Sequence, residues 1–433
     1  MNIFNYKVKQ TNTFNYKLIL WLPLYFLIAI VSEDYSYIIL LFIIHSIYLF
    51  FFISIKLNVV HALILTSIFL AIFDGNHFNK LPLNTNLSIV PYFGLIILFI
   101  FKAKLSLKSI LIYITLNILL IVSLLLNDFK DINLYIKYLS FFLLCPLIFL
   151  GLKNELEKNF IVSFLKSLSL FVLIIGFFQI IELYFVKSEL NFLGQDLYYH
   201  HRPVGTFAEP TYHSVFAALF LPFFLKDRKL EKKELFETLM YFCLLLINLF
   251  FAQTRASILM LLFFLLLARF RLKIQMFCIS TIFSVGLLSI FIIFKNKDTF
   301  FIPRIISKSQ LNDLAVNIRI RSLMDTYEHI KDSLFWGKGF DYLDTIPAHS
   351  QKSFNFLIAL YSTGGVLFTL IISIIFILPI LKYFIKKSSI DRDFIWCLML
   401  VFFASLFFPF INTLLGIYII SLCLAIISDI KKT

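Results

Sequence analysis

The sequence predicts an all-α protein, a polytopic integral membrane bundle. Three observations predict it. Of 433 residues, 60% are hydrophobic and 55 are Phe, more apolar surface than one soluble domain can hide. The apolar residues gather in long runs that approach the length of a bilayer crossing. Charged residues lie almost wholly between those runs, as they must if the runs enter lipid.

The runs fall near residues 18–32, 36–55, 57–73, 87–101, 109–126, 134–152, 160–186, 209–225, 235–252, 256–268, 274–294, 354–384, 394–409 and 411–428, which predicts about fourteen transmembrane helices. A crossing takes about 20 residues, and about 17 suffice. The runs at 87–101 and 256–268 must therefore include polar flanks or re-enter the membrane. Met1–Lys17 is polar and basic, and no small-residue cleavage site follows the first run, so that run reads as an uncleaved anchor. Residues 1–186 carry no chemical motif and are expected to form scaffold and a lipid groove. Residues 187–433 hold the loops, 187–208 and 295–353, expected to build the active site.

Charge orients the set. Lys7, Lys9, Lys17, Lys102, Lys104, Lys108, Lys226, Arg228, Lys229, Lys232, Lys233, Arg269, Arg271, Lys273, Lys382, Lys386, Lys387 and Arg392 fall on one face, and Lys80, Lys130, Lys187, Arg202 and Arg255 in the short loops of the other. The positive-inside rule then makes both termini cytoplasmic. The same bias accounts for a net charge of +14 without a nucleic-acid partner. The loop 295–353 is the one long hydrophilic connection and falls outside. Within it Val316, Ile320, Leu323, Tyr327, Ile330 and Leu334 recur at helical spacing, predicting an amphipathic helix on the membrane face. Gly337-Lys338-Gly339 ends it.

Cys145, Cys243, Cys278, Cys397 and Cys423 sit inside apolar runs without metal-ligand spacing and read as packing residues. His45 and His61 lie in early spans and are expected to bond neighbouring helices. His200, His201 and His213 complete no metal-ligand signature, so neither a metal nor a cofactor is expected.

Five polar sites share the outer face. Arg202 and Glu209 flank the shorter loop, Arg255 sits in the turn Gln253-Thr254-Arg255-Ala256-Ser257, Arg319 and Arg321 lie on the amphipathic helix, and His349 with Ser350 precedes the run at 354–384. Arginine forks match phosphate oxygens and stay charged in a low-dielectric setting. A neutral His can take a proton from a hydroxyl. Together they suit a transfer in which a lipid-linked diphosphate leaves and a hydroxyl attacks, with arginines stabilising the leaving charge. Plainer roles stay open: an interfacial anchor for Arg255, a solvated helix face for Arg319 and Arg321, a loop residue for His349. Glu209 before Pro210 could serve simply as a helix start.

These pieces resemble the O-antigen polymerase and O-antigen ligase superfamily of bacterial envelope glycosyltransferases. The resemblance covers mainly 200–380 and rests on four segments in order. Arg202-Pro203-Val204-Gly205-Thr206-Phe207-Ala208-Glu209-Pro210-Thr211 resembles the family's Arg…Gly-Thr-Phe segment, with a Glu-Pro step that recurs among polymerases. Thr254-Arg255-Ala256-Ser257 resembles its Ser-Arg-Gly turn. Arg319-Ile320-Arg321-Ser322-Leu323 through Gly337-Lys338-Gly339 resembles an Arg-x-x-x-Leu helix leading to a Gly-x-Gly turn. Ala348-His349-Ser350 with Gly364-Gly365 resembles a His-Asn…Gly segment opening the next helix; Ser350 stands where the family has Asn, and the interval to Gly364 is a few residues longer.

The resemblance implies metal-independent glycosyl transfer from an undecaprenyl-diphosphate-linked glycan on the outer face of the bacterial cytoplasmic membrane. It implies that Arg255 and Arg319 bind the diphosphate, that His349 activates the acceptor hydroxyl, and that Arg202, Glu209 and Arg321 contact glycan or orient the site. The expectation is a Wzy-type polymerase of O-antigen or capsule repeat units, with membrane lipid and the chain-length regulator and flippase of the same pathway as partners. The alternative is a ligase moving finished chain to lipid A-core. A lipid or polysaccharide transporter is the third reading, and it would put ionisable groups at the bilayer midplane rather than at its surface.

Overall fold

The computed structural model describes residues 19–31, 36–73, 87–126, 136, 138–183, 203, 207, 210–225, 232–252, 254–267, 282, 324, 328, 331–333, 335–338, 356–386, 392–407 and 413–428. These are 90% helical, with no strand among them. In chain order the helices are α1 (Leu22–Val31), α2 (Ser36–Lys56), α3 (Val59–Ala71), α4 (Ile89–Lys102), α5 (Leu107–Leu126), α6 (Leu144–Gly151), α7 (Lys158–Ile181), α8 (Pro210–Leu219), α9 (Leu221–Phe224), α10 (Lys232–Ala252), α11 (Arg255–Leu267), α12 (Phe356–Lys386), α13 (Arg392–Phe407) and α14 (Leu414–Ser428). Each predicted run except 274–294, of which only Ile282 is described, contains helix at the predicted place.

Among the described residues, four stretches are long and apolar enough to cross a membrane: Leu107–Leu126, Lys158–Ile181, Glu234–Ala252 and Leu360–Tyr383. Their outward faces show why. On α5, Leu111, Ile114, Ile118, Ile121 and Leu125 are exposed at helical spacing, while Leu116, Leu120 and Leu124 are buried on the opposite side. A helix in water turns polar residues outward. Here both faces are aliphatic, as hydrocarbon surroundings require. On α12, Leu367, Leu370, Ile374, Ile377 and Leu381 make the same outward stripe.

The bundle is organised around α3, which is buried from Val60 to Ala71 and packs on α2, α4, α7 and α14. Asn58 caps it, its side chain accepting from the His61 amide at 2.9 Å. His61 Nε2 in turn accepts from the Glu157 amide at the head of α7, and His45 on α2 bonds Tyr25 of α1 at 3.2 Å. Both histidines tie helices together, as their positions predict.

Three predicted runs are broken helices. In 134–152, a π-helical turn at Tyr138–Leu143 precedes α6; Pro146 has no N–H for the Phe142 carbonyl, and the wider turn relieves its ring from that group. The run 209–225 divides into α8 and α9 at Phe220, with Pro222 in the second piece. Hydroxyls of α10 bond the backbone there: Tyr241 donates to the Ala217 carbonyl and Thr238 to the Phe224 carbonyl at 3.1 Å. In the third run, α12 breaks at Gly365, where φ is 74°. Non-helical backbone at such depth persists only where neighbours satisfy it.

Candidate functional site

Of the site residues predicted from sequence, Arg255 alone falls in a described element. It is the first residue of α11. Arg202, Glu209, Arg319, Arg321 and His349 lie outside the described residues, as does most of the predicted amphipathic helix at 316–334. The segments that carry them have described neighbours, and these come together in two pairs.

The first pair joins the Gly-Thr-Phe-Ala-Glu-Pro segment to the Thr-Arg-Ala-Ser turn. Phe207 is buried, its ring 5.3 Å from Phe216 and 6.4 Å from His213 on α8. Pro210, immediately after Glu209, starts that helix; a proline suits a first turn because its missing N–H is not needed there. Thr254 stands just ahead of α11, and its carbonyl takes the Ile258 amide. Its hydroxyl contacts the Ser257 hydroxyl, and Ser257 donates to the Thr254 carbonyl at 3.1 Å. The hydroxyl network thus fixes the turn that presents Arg255. Ser214 Oγ lies 2.6 Å from Thr254 Oγ1 and donates to the Thr211 carbonyl at 3.1 Å. A continuous line of hydroxyls therefore couples the first turn of α8 to the first turn of α11. Ser214, Thr254 and Ser257 are all buried, so no water competes for these bonds.

The second pair joins the Gly-x-Gly turn to the Gly-Gly step. Gly337 has φ 73° and returns its amide to the Ser333 carbonyl at 2.9 Å, a left-handed stop for the short helical turn Lys331–Ser333. The next amide, of Lys338, donates to the Ser362 carbonyl at 2.7 Å. The break of α12 at Gly365 opens that carbonyl to a donor from outside the helix. The following carbonyl, of Thr363, accepts from Ser123 Oγ of α5 at 2.7 Å. Backbone meets backbone here. A Cβ on Gly365 would overlap the Phe335 carbonyl, and one on Gly337 would lie 2.7 Å from the Gly365 nitrogen.

A third cluster carried no recognisable sequence signal. His213, one turn into α8, bonds Asn248 of α10 through Nε2 at 2.8 Å. Asn248 Nδ2 already donates to the Leu173 and Leu244 carbonyls at 3.1 and 2.8 Å, so its oxygen is the acceptor and His213 Nε2 carries the proton. Nδ1 is then the unprotonated nitrogen, buried and without a partner among the described residues. Gly176 of α7 makes room for both side chains: a Cβ there would overlap Asn248 Oδ1 and lie 2.5 Å from His213 Nε2. His213 completes no metal-ligand signature in the sequence and Asn248 is a lone amide in an apolar run; the role of each exists only once three helices meet.

The two pairs and the His213 cluster can do distinct things. The hydroxyl line holds the helix start that carries Arg255, where backbone N–H groups and the helix dipole favour an anion. The glycine step fixes the turn after the segment carrying Arg319 against the helix after the segment carrying His349. The His213–Asn248 bond holds the head of α8, directly after Glu209. No protein-family model matches the chain, and no curated protein matches its sequence.

Proposed function

We propose that this protein is an undecaprenyl-diphosphate-linked oligosaccharide polymerase of the O-antigen polymerase and ligase superfamily, acting without a metal on the outer face of the cytoplasmic membrane. The observation that carries the reading is the pairing of the four family-like segments. Ser214 bonds Thr254, and the Lys338 amide bonds the Ser362 carbonyl. The segments meet two by two, and each pair bears on a residue of the expected chemistry.

In this reading Arg255 and Arg319 hold the diphosphate through paired N–H donors. His349 takes the proton of the acceptor hydroxyl as that oxygen attacks the sugar carbon. The carbon–oxygen bond to the diphosphate breaks, and the arginines stabilise the charge that collects on the leaving group. Arg202, Glu209 and Arg321 orient the glycan. Both termini are cytoplasmic and 295–353 is periplasmic. Single cysteines at 230 and 310, on a background lacking the native cysteines, test that orientation: an impermeant maleimide on intact cells should label 310 and not 230.

The glycan profile of a host carrying His349→Ala tests the reaction. In a strain that makes O-antigen, a polymerase without its base leaves lipopolysaccharide capped by one repeat unit and no ladder. Loss of a general base costs about 10²–10⁴ in rate, so a faint ladder fits. Bare core with stored polymer on the lipid carrier would make the protein the ligase. A full ladder from a stably inserted variant would remove His349 from the mechanism.

A further inference from the structure

Away from the candidate site, a half-open cleft of about 770 Å³, its open mouth included, lies between α5, α6, α12 and α14. Its wall is almost wholly apolar, with Leu116, Leu147, Ile375, Phe376 and Ile420 prominent, and Ser109 and Tyr113 as its polar members. The helices that form it carry aliphatic outward faces, so hydrocarbon is the medium into which it opens.

One end of the cleft is different. Ser109 and Leu150 lie at the head of α5 and the tail of α6. The Lys104 amide donates to the Gly151 carbonyl at 3.0 Å, which holds the basic linker Lys102–Lys108 against the tail of α6. Lys102, Lys104 and Lys108 are exposed there. Lys153, on the same face, donates to the Ser428 carbonyl at 3.3 Å and closes the tail of α14 over this end. Ser106 and Ser109 share a hydroxyl bond of 2.8 Å, and the Ser109 amide donates to Ser106 Oγ, so the positive end of α5 is ordered towards the lysines. Glu155 is exposed and Glu157 half-buried in the turn between α6 and α7, and Glu234, Glu237 and Asp393 are further acidic residues at helix starts on this face.

We propose that the cleft and its basic rim bind one anionic glycerophospholipid of the leaflet on the Lys104 side. An acyl chain would occupy the cleft, and the phosphate would lie against Lys104, Lys108 and the head of α5. A chain gains little simply by leaving other lipid tails, which are as apolar as Leu. The cleft supplies shape, and the choice of lipid must come from the charged rim, where each lysine near an anionic headgroup contributes about fivefold in affinity.

Native mass spectrometry of the full-length protein, released from nanodiscs of equal parts phosphatidylglycerol and phosphatidylcholine, tests this without any readout of glycosyl transfer. Wild type should retain one phosphatidylglycerol in preference to phosphatidylcholine. K104A and K108A should each lower phosphatidylglycerol retention about fivefold, and the double variant about twenty-five-fold; K104R/K108R should keep it. Leu147→Phe, which fills the cleft, should lower retention of both lipids. Should the double variant not fold, the two single variants decide between the outcomes. Equal retention of the two lipids by wild type would overturn the proposal. So would unchanged phosphatidylglycerol retention in K104A and K108A at a wild-type melting midpoint.

Discussion

His213 Nε2 donates to Asn248 Oδ1 at 2.8 Å, and the bond ties the helix that begins after Glu209 to the helix that ends just before Arg255. Both side chains are fully buried. Asn248→Leu would leave the imidazole N–H unpaired and remove the second hydrogen bond that the Leu173 carbonyl accepts beside its helical one. Hydrogen bonds between membrane helices are worth about 0.6 kcal/mol on average and about 1.7 at most, so a loss of about 1–2 kcal/mol is expected, read as a lower melting midpoint in detergent. His213→Ala together with Asn248→Leu should cost less than the sum of the two. Strict additivity would mean that the bond contributes nothing.

The Ser214–Thr254 contact makes a second prediction. Thr254→Val removes the hydroxyl that both Ser214 and Ser257 contact, and a lost buried hydrogen bond costs about 1 kcal/mol. In the proposed reaction the polymer ladder should shorten while the protein level holds. Ser214→Ala should reproduce part of that effect and add little to Thr254→Val. Two independent, additive losses would show that the two helix heads are not coupled through these hydroxyls.

Gly365 should be the least tolerant glycine tested. It has φ 74°, and a Cβ would overlap the Phe335 carbonyl; backbone on both sides leaves nothing flexible to yield. With ψ at −170° the backbone lies in a region held almost only by glycine, and a β-carbon there costs about 1–3 kcal/mol before any clash. Gly365→Ala is expected to lower expression and abolish the ladder. Gly94→Ala is the control. Its Cβ would meet only the Leu63 methyl groups at 3.0 and 3.1 Å, and the variant should accumulate normally. Equal behaviour of the two would show that the helix break at Gly365 does not need glycine.

Arginine chemistry supplies the last prediction. If Arg255 and Arg319 grip a diphosphate with paired donors, lysine should rescue neither, because an ammonium offers a point charge and no fork. Arg321 should tolerate alanine better than Arg319 does. Equal tolerance at all three, with normal protein levels, would return them to a solvated surface.

Helix placement was legible in the sequence because a bilayer imposes one rule on every segment: apolar residues for about 20 positions, then charge. Thus α5, α7, α10 and α12 stand where the runs are. Breaks inside the runs were not legible: Pro146, Pro222 and Gly364-Gly365 stand near them, but Pro379 lies within α12 without one. What the run itself could not express is which neighbour bonds the backbone at a break. That the Ser362 carbonyl takes the Lys338 amide, and the Thr363 carbonyl takes Ser123, depends on residues from remote parts of the chain meeting at one level.

The sequence by itself determined that the described residues are helical without strands, that long apolar faces point outward among them, and where the chemistry-bearing residues fall along the chain. Each follows from composition and local periodicity, which need no partner. Tertiary structure alone decided that Ser214 faces Thr254, that Gly337 seats on Gly365, and that Gly176 opens a place for His213 and Asn248. Such contacts join residues about 30 to about 70 positions apart. A buried polar group acquires a role only when helix packing brings it the one partner that offsets its desolvation.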